Sequence, residues 1–349
     1  MNKTGIEYLT HTWNPIAMRC TPVSDGCDHC WHIRMAKRHA GNKRLAPDVR
    51  AAKAGGMPIL LADELEAPLR RRKSARIGVQ FMGDLFHKDV SAGFIDKVFA
   101  VMALCPQHTF QVLTKRPERM AEYMGSRARS IEHWEAAARS VGYTLRFEGI
   151  GLCPFPLPNV QLGTSVENQD EVHRIGHLMR CPAPVRFLSL EPLLGDLPGD
   201  LPGILSIDRC PSRCDGNRCT MRAGHQGRHR ALRPTGGWGA TDEPTPSPIN
   251  WVIVGCESGP GARPMETEWV RSVVQQCREA GVPVFVKQLN ALRCRCGLVH
   301  VAGRPVGAVG WEGACRSCRF HESRMKPCVS KDPAEWPEDL CHREWPKGA

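Results

Sequence analysis

The chain is poor in aromatic residues, 6% of 349 with three tyrosines, and it has no stretch approaching ~20 consecutive apolar residues. The first shortage argues against the ring-lined groove of single-strand-binding folds, since Trp13, Trp31, Trp238, Trp251 and Trp311 are scattered. The second argues against a membrane-spanning helix. The N-terminus also lacks a basic-then-apolar leader, so a soluble, cytoplasmic protein is expected. Acidic residues are the minority, 36 Asp and Glu against 47 Lys and Arg, which leaves a formal net charge of +11. That balance points to an anionic partner, with nucleic acid and DNA in particular favoured, because each neutralised phosphate adds affinity. Basic residues recur at Arg70–Lys73, at Lys115-Arg116 and from Arg209 to Arg233. A merely solvated basic surface is the plainer alternative.

Cysteine, in contrast, is abundant. Seventeen cysteines, grouped in C-x2-C and C-x-C units without a secretory leader, read as metal ligands rather than disulfides. The densest group is Cys20-x6-Cys27-x2-Cys30, followed directly by Trp31. Three thiolates can hold three irons of a 4Fe-4S cluster and leave the fourth open, which is what binding and reductively cleaving S-adenosylmethionine requires. Zinc, with His29, His32 or a distant residue as fourth ligand, is the competing assignment.

With 42% hydrophobic residues the chain can bury a large core. Short β-branched runs ending in polar residues alternate with helical periodicity. The runs are 77–84, 109–115, 160–167, 185–192, 250–259 and 282–288, with helices expected over Ile95–Leu104 and Trp269–Ala280. This pattern predicts an α/β fold, a partial TIM-like β/α barrel of parallel strands. Catalytic candidates are the polar strand tips Asp84, Lys115, Glu167, Glu191, Glu257 and Lys287, which the barrel would gather around one mouth. Four carboxylates there would repel one another unless cations or a ligand offset them, and Lys115 and Lys287 are the expected compensators.

Two regions interrupt the pattern and resemble small zinc modules. Cys210, Cys214, Cys219, His225 and His229 lie in an Arg-rich stretch with almost no apolar residues, so metal binding would supply its folding energy. Cys294 and Cys296, then Cys315 and Cys318, form two paired-cysteine turns that suggest a four-cysteine zinc ribbon, with His300, His321 and Cys328 as spare ligands. The expected organisation is a first barrel part over 1–205, a basic insert and linker over 206–247, last barrel strands over 248–291, a ribbon-like insert over 292–329 and a C-terminal tail over 330–349. Arg213, Arg218, Arg222 and Arg228 are the expected phosphate contacts.

Several segments together resemble a known family: Thr12–Pro15, Cys20–Trp31, Met82–Phe86, Val112–Pro117, Ser165–Asn168, Ser189–Pro192, Glu257–Pro264 and Phe285–Gln288. The chain is similar to bacteriophage and prophage proteins of poorly defined function that carry a three-cysteine motif of this spacing. The resemblance implies a radical-S-adenosylmethionine-like barrel with the cysteine loop after the first strand, in the host cytoplasm if phage-encoded. Met82-Gly83-Asp84 would then hold the cofactor's amino group, with Ser165 and Glu191 as further cofactor contacts. The longer first cysteine spacing and an Asp where that superfamily has a Glu-type acid are departures. The leading expectation is an iron–sulfur enzyme modifying a nucleic-acid base or nucleotide, and a protein partner is compatible with it. Its rivals are a base-exchanging DNA glycosyltransferase of the 7-deazaguanine type, pairing Asp84 with Glu191 or Glu257, and a non-catalytic zinc-dependent DNA-binding protein.

Overall fold

The computed structural model describes residues 1–125, 127–145, 154–197, 199, 213–214, 217–218, 249–259, 261–293, 299–301 and 326–346. In chain order the strands are β1 (Asn2–Lys3), β2 (His11–Trp13), β3 (Ile16–Ala17), β4 (Ile59–Leu60), β5 (Arg76–Val79), β6 (Thr109–Thr114), β7 (Val160–Ser165), β8 (Val185–Leu190), β9 (Arg213–Cys214), β10 (Asn217–Arg218), β11 (Trp251–Gly255), β12 (Val284–Arg293), β13 (Val299–Val301) and β14 (Lys326–Ser330). Every run expected from β-branched composition is a strand. Helices fall at Ala92–Ala103 and Thr267–Ala280, within a few residues of the apolar periodicity that predicts them.

Strands β2, β5, β6, β7, β8, β11 and β12 pair consecutively and in parallel. With β1, β13 and β14 they form one ten-stranded, mostly parallel sheet. Among the described residues no backbone pairing joins β12 back to β1 or β2, so hydrogen bonding does not close a barrel. Alternate residues of each strand face opposite ways. Val252 and Val254 enter the main core together with the apolar faces of the helices, whereas Trp251 and Ile253 enter a second cluster with Tyr8, Leu9, Phe187 and Phe285. Tyr8 precedes β2 yet meets Trp251 and Phe285 edge-on at 5.7 and 5.8 Å, so side chains bring the first and last parallel strands together.

The C-terminal tail belongs to this architecture rather than trailing from it. His342 O accepts from Val286 N at 2.8 Å and Glu344 N donates to Val284 O at 3.1 Å, which covers the edge of β12 that β11 leaves free. Trp345 then stacks on Trp251 at 5.5 Å, and the Arg76 guanidinium lies 4.5 Å above the Trp345 ring. Arg76, Trp251 and Val284 open their strands, so these groups cover the N-terminal ends of the sheet.

Beyond Gln288, β12 changes partners and pairs antiparallel with β13 and β14, Arg293 standing opposite both Val299 and Lys326. Cys294, Cys296, Cys315 and Cys318 lie outside the described residues. In the other insert, β9 and β10 form a short antiparallel pair, while Cys210, Cys219, His225, His229, Arg222 and Arg228 also lie outside them.

Candidate functional site

The strand tips and the cysteine loop meet at the C-terminal ends of the sheet, where parallel strands direct their following loops to one side. Gln80 positions the chain entering that loop. Its backbone adopts φ 55°, and its buried amide accepts from Ile16 N at 3.0 Å and donates to Ile16 O at 2.8 Å. Such a left-handed non-glycine residue is held by its surroundings. Gly83 follows at φ 147° beside Met18, a conformation that favours glycine. In the same turn Met82 N donates to Asn14 Oδ1 at 2.7 Å.

Three tips grip the loop at three successive points. At the β6 tip, Arg116 donates to Asp84 Oδ2 at 2.8 Å, to Thr21 O at 2.9 Å and to Cys20 Sγ at 3.6 Å. Asp84 also accepts from Thr114 Oγ1, Phe86 N and Lys115 N, so both its oxygens are engaged. At the β7 tip, fully buried Glu167 pairs with Lys115 and accepts from Arg174 at 2.8 Å and from Ser24 Oγ at 3.0 Å. Gly26 lies directly against this group: a Cβ there would stand 2.5 Å from Glu167 Cγ and 2.6 Å from Lys115 Nζ. At the β11 tip, Arg263 donates to both oxygens of Glu257 and to Asp25 O at 2.8 Å. His29 Nδ1 is 3.1 Å from the same carboxylate.

Charge around the thiols is arranged accordingly. Burial, and then the nearby Asp84 carboxylate, pushes the Cys20 thiol up to about 11 against the opposing pull of Arg116. Lys115 is drawn down by burial, while Cys27 and Cys30, when deprotonated, pull it back up; the two cysteines therefore lie within electrostatic reach of its ammonium. Burial favours the neutral form of Glu257, but the hydrogen bonds and charge of Arg263 outweigh it and hold the carboxyl below its ordinary range. His32, buried and brought down to about 4 by desolvation, accepts from Cys20 N through Nε2 at 3.4 Å. Among the described residues no three His, Cys, Asp or Glu side chains are gathered tightly enough to hold a single metal ion.

Glu191 and Lys287 form a separate pair at 2.8 Å. Burial alone would lower the Lys287 ammonium, but Glu191 raises it on balance, and Nζ lies 5.9 Å from the Tyr8 ring centroid. This pair connects the strand tips to the aromatic cluster below them. Ser165 is buried, and its carbonyl accepts from Arg174 at 3.1 Å.

Asp84, Lys115, Glu167 and Glu257 thus converge on the cysteine loop, with Glu191 and Lys287 deeper. The expected compensators Lys115 and Lys287 are both paired with carboxylates, but three arginines carry as much of the task. Arg116 and Arg263 sit in the runs Thr-Lys-Arg-Pro and Gly-Ala-Arg-Pro, so an Arg-Pro step just past a strand tip was the available signal. Arg174, one helical turn beyond Glu171, gave no such mark. His87, whose Nε2 lies 2.9 Å from Thr21 Oγ1, follows Met82–Phe86 directly and was also missed.

A family model described as "Protein of unknown function (DUF5131)" matches residues 3–313. No curated protein matches the chain, and no solved structure does.

Proposed function

Taking as premise that the chain belongs to the DUF5131 family, we propose that it is a phage-type iron–sulfur enzyme of the radical-S-adenosylmethionine kind, acting on a nucleic-acid base or nucleotide. The observation that carries this reading is a three-thiol loop laid over the C-terminal mouth of a parallel sheet and tied down at Thr21, Ser24 and Asp25 by three different strand tips. A redox centre needs such rigidity, because ligand displacement costs reorganisation.

The donor set suits a cluster better than a lone zinc. Tetrahedral zinc would need a fourth protein ligand beside the three thiolates, whereas a cluster with one open iron does not. Both nearby histidines have other contacts, His29 with Glu257 and His32 with Cys20 N. Cys20, Cys27 and Cys30 would hold the cluster, with Arg116 and Lys115 offsetting the charge of the thiolates. When bound, the cluster and S-adenosylmethionine would supply one-electron reductive cleavage of a sulfonium. The Met82–Asp84 turn, Ser165 and Glu191 are the assigned cofactor contacts. Because the Asp84 side chain already accepts four hydrogen bonds, its part is to position Arg116 and the turn, leaving cofactor contact to backbone groups. Lys287, paired with Glu191, remains for the substrate.

Paired-carboxylate glycosyl transfer fits less well. A nucleophile needs an unshared oxygen lone pair, and Asp84, the acid common to both candidate pairs, already accepts four hydrogen bonds. The two inserts are assigned zinc. For the second, β12 ends at Arg293, directly before Cys294, and pairs there with β13 and β14. Substrate delivery through Arg213, Arg218, Arg222 and Arg228 completes the assignment.

Anaerobic purification with iron, sulfide and zinc analysis tests it. The expected result is a brown protein with about four irons per chain. Replacing Cys20, Cys27 and Cys30 together with Ala should abolish the iron and leave the zinc. Iron content unchanged by that triple substitution, or zinc alone in the native protein, would overturn the reading.

A further inference from the structure

Basic charge is concentrated next to the cysteine loop, in a segment that no role above uses. Residues 31–54, directly after Cys30, contain seven Lys and Arg against one acid, Asp48, a net +6 against +11 for the whole chain. They fold as two helices, Trp31–Ala40 and Pro47–Ala54, joined by a basic turn. His32 faces inward as the acceptor for Cys20 N, and Arg19 donates to Ala54 O at 3.3 Å, so both ends of the hairpin are attached to the cysteine loop. The Asp48 carboxylate is turned to Val49 N at 2.8 Å. Lys37, Arg38, Lys43 and Arg44 are all exposed.

At the loop end of this surface stands Trp31, 48% exposed although it is one of the largest side chains in the protein. Arg34, one turn further along, lies against the Gly259 turn beyond β11, its guanidinium 2.8 Å from where a Gly259 Cβ would be. An exposed surface therefore runs from the mouth of the sheet, past an indole met edge-on by His32, to Lys37 and Arg38 on the first helix and Lys43 and Arg44 in the turn.

We propose that this hairpin binds single-stranded nucleic acid, with phosphates along Lys37, Arg38, Lys43 and Arg44 and one unpaired base stacked on Trp31 at the rim of the cysteine mouth. The chemistry on each side matches: basic side chains neutralise a phosphate row, and an indole offers a face to any base without reading its sequence. A single indole differs from the multi-ring groove that the sparse aromatics exclude. It suits presentation of one extruded nucleotide to a site that could not reach it within a duplex. The inference rests on the nucleic-acid part of the proposed function and extends it to a second surface, apart from the Arg-rich insert.

The test is binding of a fluorescein-labelled 20-nucleotide oligo(dT) and of a labelled 20-base-pair duplex to the full-length protein across a salt series. The variant K37Q/R38Q/K43E/R44E avoids acidic residues in the last helical turn and should bind oligo(dT) at least tenfold more weakly, with a salt slope shallower by about 3, at roughly 0.7 per lost single-strand contact. Trp31→Ala should weaken oligo(dT) binding by about 5- to 100-fold and leave duplex binding within about twofold, whereas Trp31→Phe keeps most of the single-strand affinity. Thermal melting checks that each variant is folded. An unchanged affinity and slope in the quadruple variant overturns the phosphate track. Equal loss of duplex and single strand in Trp31→Ala overturns the stacking role. Iron analysis of the same preparations separates the two readings: iron-free protein that shows these effects sinks the enzyme and keeps the hairpin, and iron-loaded protein without them does the reverse.

Discussion

The two ends of the parallel sheet are built from opposite materials. At the N-terminal ends the contacts are rings: Tyr8, Trp251, Phe285 and Trp345, with Arg76 laid over the last of them. At the C-terminal ends they are ions: Asp84 with Arg116, Glu167 with Lys115 and Arg174, Glu257 with Arg263. Ring packing stabilises without directing any group at a ligand. Buried ion pairs stabilise weakly or not at all relative to apolar packing, yet here each holds a loop carrying a thiol. The difference assigns folding stability to one end and site geometry to the other.

Mutations should separate the two ends. The largest expected effect is at the aromatic end. Trp251 is fully buried, touches four rings and donates to Glu344 O in the tail, so Trp251→Ala should cost about 3–5 kcal/mol in urea unfolding. The fraction that stays folded should keep the iron content of the native protein. A cost below about 1 kcal/mol would remove this ring cluster from the stability account.

At the ionic end, Arg263→Ala should cost less, about 1–2 kcal/mol, since its guanidinium is partly exposed and the screened pair contributes little. Its local effect should be larger. With Asp25 O and Glu257 released, alkylation of Cys27 by iodoacetamide in the metal-free protein should accelerate at least tenfold, while amides of β6 and β7 keep their exchange protection. Equal loosening of loop and strands would show that the pin is a global stabiliser and collapse the distinction. Trp345→Ala comes next, at about 1 kcal/mol, the worth of one stacked pair on a half-covered ring. A shift in melting temperature without any change in Cys27 alkylation is the expected signature.

The ionic end was more legible in sequence than the aromatic one, for a physical reason. Polar residues closing β-branched runs are costly to bury, so Asp84, Lys115, Glu167 and Glu257 stand out by type and position, and parallel strands leave them one place to meet. The arginines that complete the pairs sit on following loops and helices, where arginine is ordinary. The aromatic end depends on residues far apart in the chain: nothing around Tyr8 or Trp345 marks them as neighbours, because their contact follows from sheet curvature and from a tail that returns over β12. The same cause hid the second half of β12, which continues past the parallel sheet only because β13 and β14 come back to pair with it.

The smallest effect expected separates the ends by pH. His11 opens β2 and His108 directly precedes β6; both are buried, and desolvation lowers the affinity of each for a proton below that of an exposed histidine. Below about pH 6.5 the unfolded chain takes up those protons and the folded chain does not, so stability contributed here is complete above that value and falls as acid is added. The opposite end holds both kinds of group: Glu257, held below its ordinary range by Arg263, keeps its contribution above about pH 4, whereas His32 and His87, lowered by burial like His11 and His108, lose theirs over the same range as those two. Between pH 7 and 5, therefore, the melting temperature should drop, and the share of that fall that arises at the N-terminal ends is the part that His11→Gln and His108→Gln remove. His108→Gln should flatten the decline in melting temperature, whatever it does to the value at pH 7. A decline of unchanged steepness in both His11→Gln and His108→Gln would place the acid sensitivity at the mouth instead and reverse the comparison.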